Sequence, residues 1–212
     1  MARGRRLALD LLIAVLAAGG VTLVAIGGSP AGAPAVGGPT AVEGPPAPRV
    51  ASRAPAAGPL GPSAPVHLDI PAIRVSTALT ALGLNADGTI AVPPLRRNAP
   101  AGWYRYLPTP GEVGPAVILG HVDTARDGPA VFYRLHELRP GDTVTVRRAD
   151  GSTAVFTVRQ VAEYPKSAFP AQTVYGSVDY PALRLITCGG SFDQTHRQYR
   201  TNVVVYATLT GR

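Results

Sequence analysis

From Val66 to Leu209 the sequence is a succession of short runs rich in Val, Leu, Ile, Thr and Tyr, each closed by Gly, Pro, Asp or Asn. Runs of that length and composition make strands, and no stretch among them sustains the apolar spacing of a long amphipathic helix. The fold class is therefore mainly β, a sandwich or barrel. Strands are expected over Val66–Ile70, Val75–Leu84, Thr89–Val92, Ala116–His121, Thr143–Arg148, Thr153–Glu163, Leu183–Thr187 and Asn202–Leu209. Ala149-Asp150-Gly151 reads as a hairpin turn, because Asp-Gly supplies the positive φ of tight turns. Ala130–Leu138 and Lys166–Val174 are each expected to hold a short helical turn.

The rest of the 212-residue chain has a different character. Residues 29–65 are nearly all Pro, Gly and Ala, with too little large apolar surface to offset the entropy of ordering a backbone. They are expected to form a disordered linker ahead of one domain over 66–212. Residues 1–28 begin with three arginines before Leu7–Ile26, an apolar run long enough to cross a bilayer as a helix. Positive charge ahead of the span predicts a cytoplasmic tip, a single transmembrane anchor and an extracytoplasmic domain. Asp10 sits near the cytoplasmic end, where it reaches the interface. Small residues around Ser29–Ala33 leave a cleaved signal peptide as the alternative, and both readings export the domain.

The net charge of +7 comes almost wholly from arginine, Lys166 being the only lysine. The arginines are scattered rather than clustered, so no nucleic-acid partner is expected. A single cysteine excludes an intramolecular disulfide and any site built from several thiolates. Asp and Glu show no calcium-loop spacing, so neither a metal nor a cofactor is expected. A lone thiol in an exported domain is either buried or reactive, and its neighbours decide which.

Two apolar runs finish on chemistry, Val117-Ile118-Leu119-Gly120-His121 and Leu183-Arg184-Leu185-Ile186-Thr187-Cys188. Strand ends are rigid, and the loops after them stay open to substrate. A thiol needs a base or a cation to act as a nucleophile. His121 is expected to take the Cys188 proton and return it to a leaving amine. A fixed positive charge comes from Arg197 or Arg200. Arg200 is favoured because it lies just before the last strand, which brings its guanidinium back beside the thiol if that strand pairs next to the one ending at Cys188. His196 is the rival base because it is near Cys188 in sequence, while His67 and His136 are expected to face solvent.

These strand ends, with an arginine twelve residues past the cysteine, resemble the sortases. Ala101-Gly102-Trp103-Tyr104, Pro110-Gly111-Glu112-Val113-Gly114, Gly120-His121-Val122-Asp123-Thr124 and Thr187-Cys188-Gly189-Gly190 carry the resemblance across the domain. With Asn202-Val203-Val204-Val205-Tyr206-Ala207, the last of these looks most like class F sortases of high-GC Gram-positive bacteria, the actinobacteria. The resemblance implies an eight-stranded β-barrel with His121, Cys188 and Arg200 as catalytic residues. It further implies cleavage of an LPXTG-like sorting signal between Thr and Gly through a thioester. The acyl half would then pass to a cell-wall amine, in lipid II or a peptidoglycan cross-bridge. Two other exported cysteine enzymes fit less well: L,D-transpeptidases place His just before Cys, and peptidoglycan hydrolases place Cys ahead of His. A non-catalytic, tethered cell-wall-binding domain is the remaining alternative.

Overall fold

The computed structural model describes residues 57–212. The expected transmembrane run and residues 29–56 of the expected linker lie outside them. Strands β1 (Pro65–Ile70), β2 (Val75–Leu82), β3 (Ala101–Tyr104), β4 (Gly114–Leu119), β5 (Asp123–Thr124), β6 (Gly128–Pro129), β7 (Thr143–Arg148), β8 (Thr153–Pro165), β9 (Pro181–Asp193) and β10 (Gln198–Gly211) are joined by loops, short 3₁₀ turns and one short helix, α1 (Ala171–Tyr175). Eight of them close a barrel in the order β1-β2-β3-β4-β9-β10-β8-β7, while β5 and β6 pair as a separate ribbon. The β2–β3 and β4–β9 pairs are parallel; the other barrel pairs are antiparallel.

Alternation along the strands builds two apolar layers. Ile118, Leu183, Leu185, Val203 and Val205 face the barrel interior with Leu68, Val146 and Phe156. Their neighbours Val117, Leu119, Ile186 and Val204 face outward into a second cluster, covered by Val174 of α1 together with Tyr164 and Phe169. Strands β4, β9 and β10 are thus covered on both sides, which explains why Gly114–Leu119 is buried at every residue. By contrast β7 and the first half of β8 alternate buried and open, as one-sided strands do.

The Asp-Gly hairpin forms as expected, with Gly151 at φ 83° and the Asp150 carboxylate accepting from the Ser152 amide at 2.9 Å. The two helical segments appear as 3₁₀ turns at Leu135–Glu137 and Lys166–Ala168 and as α1. Residues 89–92 do not form a strand and contribute one isolated bridge, Ile90 to Leu84. There Asp87 holds Thr89 in a turn, and Pro93-Pro94 beyond offers no N–H to a ladder. Ala101–Tyr104 is instead the barrel strand. Gly102 lets it lie against Leu82, whose Cδ1 a Cβ at this position would meet at 2.4 Å. Strand β9 also continues past Cys188 to Asp193, so the cysteine lies inside a strand rather than at its end.

The last residues of the expected linker are laid onto the barrel. Leu60 packs against the inner cluster and donates its amide to Gly111 at 2.8 Å, and the Arg148 guanidinium donates to the Gly61 carbonyl. Leu185 is fully buried among inner-layer side chains. Leu185→Ala should therefore destabilise the protein by about 2–5 kcal/mol, read from urea unfolding at constant m-value.

Candidate active site

The register of three neighbouring strands brings the chemistry together. In the parallel β4–β9 pair Leu119 stands beside Ile186, and the Gly120 amide donates to the Ile186 carbonyl at 3.1 Å. Two residues further along each chain come His121 and Cys188, on the same outward face as Leu119 and Ile186. Across the antiparallel β9–β10 pair Cys188 is opposite Asn202, and across β10–β8 Asn202 is opposite Tyr164. His121, Cys188 and Asn202 share the wall of a small cavity of about 20 Å³, with Pro93 on its rim. A larger cleft of about 570 Å³, lined in part by Arg74, Arg96, Arg97 and Arg134, contains neither His121 nor Cys188.

His121 is 8% exposed, and its Nε2 lies 2.7 Å from the Pro93 carbonyl. A carbonyl only accepts, so Nε2 carries a proton, and in the neutral ring Nδ1 keeps its lone pair. Gly120 fixes the backbone there. A Cβ at residue 120 would stand 2.5 Å from the Phe132 ring and 2.8 Å from Val131, contacts that only glycine avoids. The Phe132 amide in turn donates to the His121 carbonyl at 3.0 Å.

Cys188 is partly exposed. Burial pushes its thiol up, against a downward pull from the Lys166 ammonium and with a further push from Asp123. The thiol is therefore neutral at rest and needs a base. Lys166 follows Pro165, which pairs with Thr201, itself opposite Gly189, so its side chain reaches back over β10 toward the sulfur. Its Nζ is buried and has no hydrogen-bond partner among the described residues. Asp123 accepts from the Tyr199 hydroxyl, and burial with that bond pushes the Tyr199 phenol up to about 12.

Arg200 is not part of the cavity wall. It lies within β10, its side chain 66% exposed and its Nη2 3.4 Å from Asp193. Asp193 also accepts from the amides of Thr195 and His196 and from the His196 ring, which hold its carboxyl down at about 2. His196 is thus an exposed part of the β9–β10 turn, and Arg197, exposed with φ 52°, belongs to the same turn. His67 pairs with Ser76 across β1–β2 at 3.0 Å and is half-buried, whereas His136 is exposed. Among the described residues no group of three or more His, Cys, Asp or Glu could hold a metal ion.

Sequence reasoning passed over two neighbours of the thiol, Lys166 and Asn202. The first had a signal, as the only lysine in an arginine-rich chain. The second had none without the β9–β10 register. The rate of Cys188 alkylation by iodoacetamide should rise with a midpoint above the value of about 8.5 for an ordinary thiol. Lys166→Met should move that midpoint higher still while Lys166→Arg leaves it near wild type; a midpoint indifferent to Lys166→Met would show that the ammonium does not act on the sulfur.

Comparison with known proteins supports the same fold. A sortase from Clostridium perfringens, the D5 transpeptidase, superposes with a TM-score of 0.51 at 20% identity, covering 70% of this chain and 79% of its own. Sortase C-1 from Actinomyces oris gives 0.52 at 18%, covering 69% and 74%. Sortase A from Corynebacterium diphtheriae gives 0.51 at 15%, covering 72% and 63%. No curated protein sequence matches the chain. The sortase domain model matches residues 68–210, which is more than half of the chain and includes every strand that carries the site, and the chain belongs to the sortase family of cysteine transpeptidases.

Proposed function

We propose that this protein is a membrane-tethered, extracytoplasmic sortase of class F type. It cleaves an LPXTG-like signal between Thr and Gly and transfers the acyl half to a cell-wall amine, of lipid II or a peptidoglycan cross-bridge. Cys188 is the nucleophile, His121 the general base and then acid, and Arg200 the electrostatic helper. The observation that carries this reading is that the chain's one thiol and a buried imidazole, held through Nε2 by the Pro93 carbonyl, wall the same cavity.

The reaction follows from that arrangement. Cys188 Sγ bonds to the carbonyl carbon of Thr as its proton passes to His121 Nδ1. Collapse of the tetrahedral adduct breaks the C–N bond, and the glycine amine leaves with the proton. The incoming amine repeats the sequence in reverse, forming the new amide and releasing the thiol. The Pro93 carbonyl holds the ring throughout, and it stabilises the imidazolium formed after the first transfer. Arg200 reaches the substrate by exchanging its ion pair with Asp193, which costs little because the pair is exposed.

The test is the full chain with a Leu-Pro-X-Thr-Gly peptide and hydroxylamine as the amine. Cys188→Ala should abolish both cleavage and hydroxamate formation, and His121→Ala should lower turnover by about a hundred- to ten-thousandfold. Arg200→Ala should impair turnover while Arg197→Ala does not. Cleavage retained in Cys188→Ala would remove the nucleophile assignment.

A further inference from the structure

The cavity between His121, Cys188 and Asn202 is about 20 Å³, room for about one water-sized group. A substrate side chain does not fit such a space, but a single carbonyl oxygen does. An oxygen gaining negative charge there needs a hydrogen-bond donor. His121 in its neutral form has none to offer, since Nε2–H is engaged by Pro93 and Nδ1 only accepts. The Gly120 amide is committed to Ile186, and Pro93 has no N–H. Thr187 alternates to the other face of β9 from Cys188.

Asn202 remains. It is 5% exposed and lies directly opposite Cys188 in the β9–β10 ladder. Among the described residues its side-chain amide makes no hydrogen bond, so at the cavity wall it is free to bond a ligand. Direct cross-strand partners hold their Cβ atoms about 4.5–5.5 Å apart. An asparagine Nδ2 at that distance reaches the oxygen of a carbonyl bonded to Sγ.

We propose that Asn202 is a catalytic residue of this site, its amide donating a hydrogen bond to the substrate carbonyl oxygen as Cys188 attacks. This rests on the nucleophile assignment above. As the S–C bond forms, the carbonyl π pair moves onto oxygen and the thiol proton passes to His121 Nδ1; Asn202 Nδ2–H meets the new oxyanion. When the pair returns, the C–N bond breaks and the amine takes the proton from His121. Asn202 already lines the cavity in the substrate-free protein, whereas Arg200 is turned outward to Asp193.

The experiment compares wild type, Asn202→Ala and Cys188→Ala in the full chain, using the peptide and hydroxylamine assay and iodoacetamide alkylation. Asn202→Ala should lower kcat by about a hundred- to a thousandfold with KM little changed. Its alkylation rate, the pH profile of that rate and its unfolding midpoint should stay at wild-type values, because the thiol and its base are untouched. If Asn202→Ala does not fold, Asn202→Asp keeps the size, replaces the donors with acceptors, and should lose turnover likewise. Near-wild-type turnover in Asn202→Ala with an inactive Cys188→Ala overturns this inference and leaves the nucleophile standing. Alkylation lost in parallel with turnover also overturns it, by making Asn202 a structural prop. Turnover surviving in Cys188→Ala would instead sink the reading beneath it.

Discussion

The arrangement depends on the parallel pairing of β4 with β9. One hydrogen bond past the last paired residues, Gly120 N to Ile186 O, fixes the relative slide of the two strands. Because side chains alternate with period two, a slip of one residue would send the imidazole and the sulfur to opposite faces. What resists the slip is that both strands are buried on both sides. Any one-residue slip would force Ile118 and Leu185 into the space packed by Val117 and Ile186, and the reverse, so both layers would have to repack. The barrel core and the geometry of the reacting groups are therefore one constraint seen at two distances.

The outward apolar layer gives the site its electrostatic character. Tyr164, Phe169 and Val174 cover the sheet beside Cys188, and that cover removes water from the thiol and from Lys166. Burial opposes charge on the sulfur, the ammonium favours it, and burial prevails. A thiol kept neutral is less prone to oxidation than a standing thiolate. On the far wall of the cavity the Pro93 carbonyl fixes how the His121 ring is turned.

Much of this was legible before any coordinates. The apolar runs ending at His121 and Cys188 announced the strands and the two side chains that share the cavity, because strand patterning and a lone thiol are local signals. What escaped was non-local. Ala101–Tyr104 is short and contains a glycine, so its strand character comes only from the partners on either side, β2 and β4. The extension of β9 through Gly189-Gly190 depends on a bulge opposite Thr201. A Cβ on Gly190 there would lie 2.6 Å from the threonine hydroxyl. Composition marked residues 57–65 as linker, and composition is blind to a backbone held by Gly111, Thr109 and Arg148. Asn202 gains meaning only from cross-strand register, which also tells what the lone lysine, Lys166, faces.

That docked segment bears on how the domain should be trimmed for recombinant work. A shortened protein begun at Val66, where the composition changes, would delete the carbonyl that receives Arg148, a side chain 3% exposed whose Nε already lacks a partner. It would also uncover the notch at Gly111 that Leu60 fills. The guanidinium would keep Ser152 and Asp150 on Nη1 but lose the carbonyl that Nη2 donates to. The sensible cut lies ahead of Ala57, and a poorly behaved shorter version would indict its boundary rather than the fold.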